Sequence, residues 1–191
     1  TSRDATRRCR HWRMTPSISG YSARAAKVSS WRCSWRNDPV GREIADRHYN
    51  RQNPGASGFV PPGRCLVLLA DTPALWVTSW PKTEFVKHDW AGAWVNSCFR
   101  KEGPGVASDM IRAAVAHTCW KWPTPPPLGM VTFVDPKHVE HKREPGYCYK
   151  KAGFEHVGYT KEEGLWFWQL PPERMPEAAE PLPREGALIA V

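Results

Sequence analysis

The chain has 191 residues, 41% of them hydrophobic and 24% charged, with a formal net charge of +8. That is enough for one domain with a sizeable core, and it excludes a wholly disordered chain. No apolar run approaches the ~18–20 residues of a membrane-spanning helix. The basic start is not followed by the apolar stretch of a secretory leader, so a cytoplasmic protein is the expectation.

The charge is placed unevenly. Residues 1–36 hold nine Lys/Arg against one Asp (+8), whereas residues 37–191 hold eighteen Lys/Arg against eighteen Asp/Glu (zero). Residues 1–36 are therefore expected to be a basic segment outside the core, either a nucleic-acid-binding arm or a plain tail. The six cysteines form no CxxC pair and no zinc-finger spacing, and they read as small buried hydrophobes in a reducing compartment. Eleven tryptophans exceed ordinary usage; Trp120 and Trp122, or Trp166 and Trp168, are candidates for stacking faces as well as core.

The first strong element starts at Asp38-Pro39, an N-cap followed by proline at the first helical position. Val40, Ile44 and His48 make one helical stripe, which predicts a helix through about Arg51 that stops at Asn53-Pro54-Gly55. After the Gly58-Phe59-Val60-Pro61-Pro62-Gly63 loop come three strands: Arg64–Ala70, Ala74–Trp80 and Trp94–Phe99. The first two are joined tightly at Asp71-Thr72-Pro73, which predicts a hairpin. A helix follows, with Val106, Met110, Ala114 and Thr118 on one face, and Pro123 to Pro127 end it. Gly129–Val134 reads as a strand and Gly146–Ala152 as a short helix stopped by Gly153. Phe154–Tyr159 and Leu165–Leu170 read as the last two strands, and residues 171–191 as a Pro/Glu-rich tail. This order predicts a mixed α/β (α+β) single domain over residues 37–170 with one central, mostly antiparallel sheet.

The strongest local chemistry is the strand–loop–helix around Arg100-Lys101-Glu102-Gly103-Pro104-Gly105. Glycines let backbone N–H groups approach an anion, and a helix N-terminus adds free donors and partial positive charge. Arg100 and Lys101 add full charges, and Ser108 offers a hydroxyl one turn in. A plain glycine-rich turn before a helix is the alternative, and Pro104 removes one N–H donor. Asp135 follows a strand predicted to be central, where sites collect in α/β sheets. It can take a proton from an amine, ligate a metal ion, or cap a helix at Pro136. Lys137, His138, His141, Lys142 and Arg143 form a cationic cluster suited to a phosphate backbone.

The Arg100-x-x-Gly103-x-Gly105 loop resembles the acyl-CoA pyrophosphate motif of the GNAT acyltransferases. Tyr149-Lys150-Lys151-Ala152-Gly153-Phe154 resembles a segment that closes many GNAT domains. The order of elements is similar as well, over about two-thirds of the chain. A narrower resemblance is to the Mom-type phage family that modifies adenine in DNA. It rests on Asp46-Arg47-His48-Tyr49-Asn50-Arg51-Gln52, the 58–63 loop, Thr132-Phe133-Val134-Asp135 and Lys142-Arg143-Glu144-Pro145-Gly146-Tyr147-Cys148-Tyr149.

The Mom-type resemblance implies a GNAT-like enzyme of a bacterial host cell that converts adenine N6 in double-stranded DNA to a carbamoylmethyl form, evading restriction. It implicates His48, Tyr49, Asp135, Ser108, Tyr147 and Tyr149, of which His48, Tyr49, Asp135 and Tyr149 are taken as catalytic and Tyr147 as a DNA contact; the cationic cluster adds Lys137, Lys142 and Arg143 as candidate DNA contacts. The base would have to leave the duplex to be reached. The donor is left open between an acyl-CoA and an aminoacyl group, with a metal ion as a further possibility. Two other readings stand beside it. One is a conventional acetyl-CoA N-acetyltransferase acting on a small amine or protein, with Arg100, Lys101, Gly103, Gly105 and Ser108 holding the cofactor. The other is a non-enzymatic nucleic-acid-binding module.

Overall fold

The computed structural model describes residues 30–82, 84, 86, 90–139 and 144–184. It has seven strands: β1 (Trp31–Cys33), β2 (Arg64–Ala70), β3 (Ala74–Trp80), β4 (Trp94–Lys101), β5 (Met130–Val134), β6 (Glu155–Tyr159) and β7 (Trp166–Leu170). The helices are α1 (Pro39–Asp46), α2 (Ala107–Lys121) and α3 (Tyr147–Ala152). The strands form one sheet in the order β1-β2-β3-β4-β5-β7-β6, parallel at β4–β5 and antiparallel at the other pairs. A parallel pair needs a crossover, and α2 is that crossover. The expected mixed α+β single domain is the fold observed.

Strand periodicity sorts the core into two faces. Leu66, Leu68 and Trp76 join α2 and α3 on one side, with Met110, Ile111, Ala114, Val115 and Tyr149. Val67, Leu69, Leu75 and Val77 face Ile44 and Ala45 of α1, with Phe59 filling beneath them. The 58–63 loop is thus a wedge under α1. Gly41 belongs there too, because a Cβ at that position would press on the Phe59 ring.

Three expectations are corrected. α1 ends at Asp46 rather than near Arg51. The Asp46 carboxylate accepts from Arg51 Nε at 2.7 Å and from Gly55 N at 2.9 Å, while Arg51 also donates to Ala56 O and Gly58 O. These bonds turn the chain back, so His48 and Tyr49 lie in the turn after the helix. The boundary at 36/37 also cuts into the sheet. Trp31 is 1% exposed, pairs through β1 with β2, and donates its indole N–H to Met110 O at 2.9 Å. Nor are residues 171–184 detached: Leu182 exchanges main-chain bonds with Trp31 and Cys33, and Ala179 N donates to Ala116 O. Residues 1–29 and 185–191 lie outside the described part.

The sheet opens at its middle. β4 and β5 pair only at Trp94–Asn96 against Met130–Thr132, although β4 runs on to Lys101 and β5 to Val134. Beyond Asn96, β4 stays with β3; beyond Thr132, β5 stays with β7. The two halves of the sheet therefore part at the carboxyl end of the parallel pair, the end at which α/β sheets place ligands.

Candidate active site

The gap between β4 and β5 is a cleft of about 640 Å³. β4 supplies Asn96, Cys98, Phe99, Arg100 and Lys101 to its lining, β5 supplies Thr132, Phe133 and Val134, and α3 supplies Tyr147 and Tyr149. His48, Tyr49 and His138 line its rim.

Its floor is a closed polar network. The β3–β4 register slips from Val77↔Cys98 to Thr78↔Asn96, which leaves Ser97 as an extra residue on β4. Asn96 spans this bulge, its Nδ2 donating to Val77 O at 3.1 Å and Cys98 O at 3.0 Å. Its Oδ1 accepts the Tyr149 hydroxyl at 2.6 Å and that of Thr132 at 3.3 Å. Every polar atom of this buried amide is used, which satisfies the cost of placing it there. Burial pushes the Tyr149 phenol well above its ordinary pKa, so it stays protonated. Asn96 and Thr132 were not singled out from sequence. The available signal was a polar residue within the apolar-rich part of each strand, Asn96 after Trp94-Val95 and Thr132 between Val131 and Phe133.

One wall is an aromatic stack. The His48 and Tyr49 rings lie 4.4 Å apart at 27°, and those of Tyr49 and His138 lie 4.9 Å apart at 11°. On a continued helix His48 and Tyr49 would point ~100° apart; in the turn their rings meet. His48 Nδ1 accepts from Asn50 N at 3.1 Å. Burial first, then the charge of Arg100, lower the His48 pKa to about 4 against a backbone hydrogen bond with Phe99. His48 is therefore neutral near pH 7.

Asp135, just past β5, is a cap. Its Oδ1 accepts from Lys137 N at 2.8 Å, and its Oδ2 pairs with His138 Nδ1 at 2.7 Å, at the start of a 3-10 turn over Pro136–Val139. Desolvation raises its pKa, but Lys137 and His138 outweigh that and hold it below the usual carboxylate range. Its backbone N–H donates to Tyr49 Oη at 3.3 Å. Both carboxylate oxygens are engaged, and Asp135 itself is not among the cleft-lining residues.

The glycine-rich loop is less open than its motif suggests. Glu102 N and Gly103 N both donate to Pro73 O, at 2.8 and 3.2 Å. Gly103 is required by packing, because a Cβ there would press on Thr72 and Pro73. Lys101 Nζ donates to Gly103 O. Glu102 accepts from Arg47 Nε and Nη2, both at 2.8 Å, and from Arg100 Nε at 2.6 Å, and these bonds hold its pKa down to about 2. What remains is the start of α2. Val106, its N-cap, makes no side-chain cap bond, and Gly105 adopts φ 108°. Asp109 N donates back to Val106 O at 3.1 Å, and the amides of Ala107 and Ser108 open the 15-residue helix without a side-chain cap. Ala107 lines the cleft, whereas Ser108, one residue further, does not. Arg100, Lys101 and Ala107 share the cleft lining at this helix start.

Of the expected DNA-facing residues, Tyr147 is 51% exposed with Lys151 Nζ 5.4 Å from its ring, and Lys137 is exposed. Lys142, Arg143 and His141 lie outside the described residues. Among the described residues, no group of three or more His, Cys, Asp or Glu could hold a metal ion, and no helix is long and apolar enough to cross a membrane.

No family model and no curated protein matches the sequence. Two solved structures match the fold. Both are AAC(6')-Ib, one in complex with ribostamycin and coenzyme A (TM-score 0.55), the other with paromomycin and acetyl-CoA (TM-score 0.51). Each is 13% identical, over 77% of this chain and 95% of the other. The chain has the GNAT acetyltransferase fold. In this chain the cleft lies between the parted β4 and β5 and reaches Ala107 at the start of α2.

Proposed function

We propose that this chain is an N-acyltransferase that moves an acyl group from an acyl-CoA to an amine held in the β4–β5 cleft. One observation carries the reading: the cleft ends at the uncapped first turn of α2, between two strands that have stopped pairing. Backbone donors and helix polarity there suit a pyrophosphate. When bound, the thioester supplies an activated carbonyl. The protein's part is to hold and orient. The α2 amides would hold the anionic end, with the charges of Lys101 and Arg100, engaged by Gly103 and Glu102, beside it, and Asn96 and Thr132 fix the Tyr149 hydroxyl at the floor. The buried, protonated Tyr149 phenol donates to Asn96 and is suited to shape the floor against which the acyl group would lie.

A second reading makes the amine N6 of adenine in DNA and the donor an acyl or aminoacyl group. Its support is the convergence of the Mom-like segments. Tyr49 meets Asp135 across 86 positions, Arg51 ties the 58–63 loop to the same turn, and Tyr147 and Tyr149 line the same cleft. The aromatic rim is suited to an extrahelical base.

The test supplies the purified chain with isotopically labelled acetyl-CoA and either ribostamycin or double-stranded DNA, followed by mass spectrometry of the amine or of the nucleosides. DNA from cells expressing the chain is digested in parallel. Labelled acetyl on ribostamycin is the expected result. Altered adenine decides for the second reading. Unmodified acceptors together with no CoA binding would contradict both.

A further inference from the structure

Asp135 lies at the expected sheet edge, yet each of its carboxylate oxygens already accepts a hydrogen bond and the residue does not line the cleft. Its arrangement passes that capacity to His138. A carboxylate only accepts, so the 2.7 Å contact between Asp135 Oδ2 and His138 Nδ1 places the ring proton on Nδ1. In the neutral ring the lone pair is then on Nε2. The ring plane is fixed as well: Tyr49 stacks on it at 4.9 Å and 11°, and Tyr49 is pinned by the Asp135 N–H and backed by His48. The carboxylate is in turn held by Lys137 N at 2.8 Å. His138 lines the cleft, and its side chain is half exposed to it and to solvent. A base whose tautomer and plane are set by neighbours is the arrangement general-base catalysis requires.

Building on the acyltransferase reading, we propose that His138 is the catalytic base, accepting the amine proton at Nε2, and that Asp135 is its positioning residue. As the amine nitrogen forms its bond to the acyl carbon, the C–S bond of the thioester breaks and the sulfur leaves with the electron pair. The amine proton goes to His138 Nε2 and from there to solvent. His48 takes no part as a base: its Nδ1 accepts from Asn50 N.

Asp135→Asn separates positioning from packing. The amide keeps an oxygen for Lys137 N but offers an N–H to His138, which drives the ring proton to Nε2. The experiment combines 15N NMR of the imidazoles with kinetics on acetyl-CoA and ribostamycin. The wild-type chain should show the Nδ1-protonated His138 tautomer, and D135N the Nε2-protonated one, with the rest of the amide spectrum unchanged. D135N and H138Q should each lower kcat by about 100-fold or more, with KM for acetyl-CoA within about threefold.

An Nε2-protonated His138 in the wild-type chain overturns the proposal, and so does full kcat in H138Q. The tautomer measurement needs no acceptor, so it decides even if ribostamycin is a poor substrate. CoA titration judges the acyltransferase reading separately. A chain that does not bind CoA fails that reading, whereas one that binds CoA and acylates undiminished as H138Q fails the His138 assignment alone.

Discussion

The two sides of the cleft are built on opposite plans. On the aromatic wall, side chains from distant segments converge: His48 and Tyr49 after α1, Asp135 and His138 after β5. On the loop side, the side chains that look most functional are already occupied. Arg100 is tied to Glu102, Lys101 to Gly103, and two loop amides to Pro73. What that side offers a ligand is backbone, the open first turn of α2. A charged motif therefore does not by itself identify free charge, and a bland turn can carry the chemistry.

The largest expected effect lies on the loop side. Trp31 is wholly buried and donates to Met110 O in the first turns of α2. Replacing it by Ala should cost about 3–5 kcal/mol in chemical denaturation. It should weaken CoA binding at concentrations where the wall still reports its stacked rings. A loss under 1 kcal/mol would show that β1 is not part of the support. For the same reason, removing residues 1–36 should destabilise the fold, because it deletes β1.

A smaller effect separates out the wall. His48 is charged in the unfolded chain below pH ~6.5, but stays neutral in the fold down to about 4. The unfolded state thus binds a proton that the folded state refuses. Stability is complete above pH ~6.5 and falls as the pH drops toward 4. His48→Gln should flatten this part of the profile, measured by denaturation at pH 7.5 and pH 5. An unchanged slope would mean that His48 is solvated.

The same contrast explains what could be read from the sequence. β2 and β3 have the bounds expected, because continuous apolar runs between Pro/Gly turns mark strands locally. α1 was read too long because the Val40–Ile44–His48 stripe runs on. What ends the helix is the pull of Arg51 and Gly55 on Asp46, an interaction that periodicity does not carry. β1 has only three residues in a basic stretch, and its partner strand lies over thirty positions away. Asn96 becomes visible as a site residue only when the bulge and Tyr149 are placed around it. His138 was legible as part of a cationic cluster; its pairing with Asp135 depends on the 3-10 turn.

The central claim is that the cleft between β4 and β5 takes an acyl-CoA at the α2 N-terminus. Amide NMR of the chain titrated with CoA tests it directly. The account predicts the largest shifts at Gly105, Val106, Ala107 and Ser108, with smaller ones along β4 at Phe99 to Lys101. Saturable shifts confined to other parts of the molecule, or no shifts at all, would contradict it.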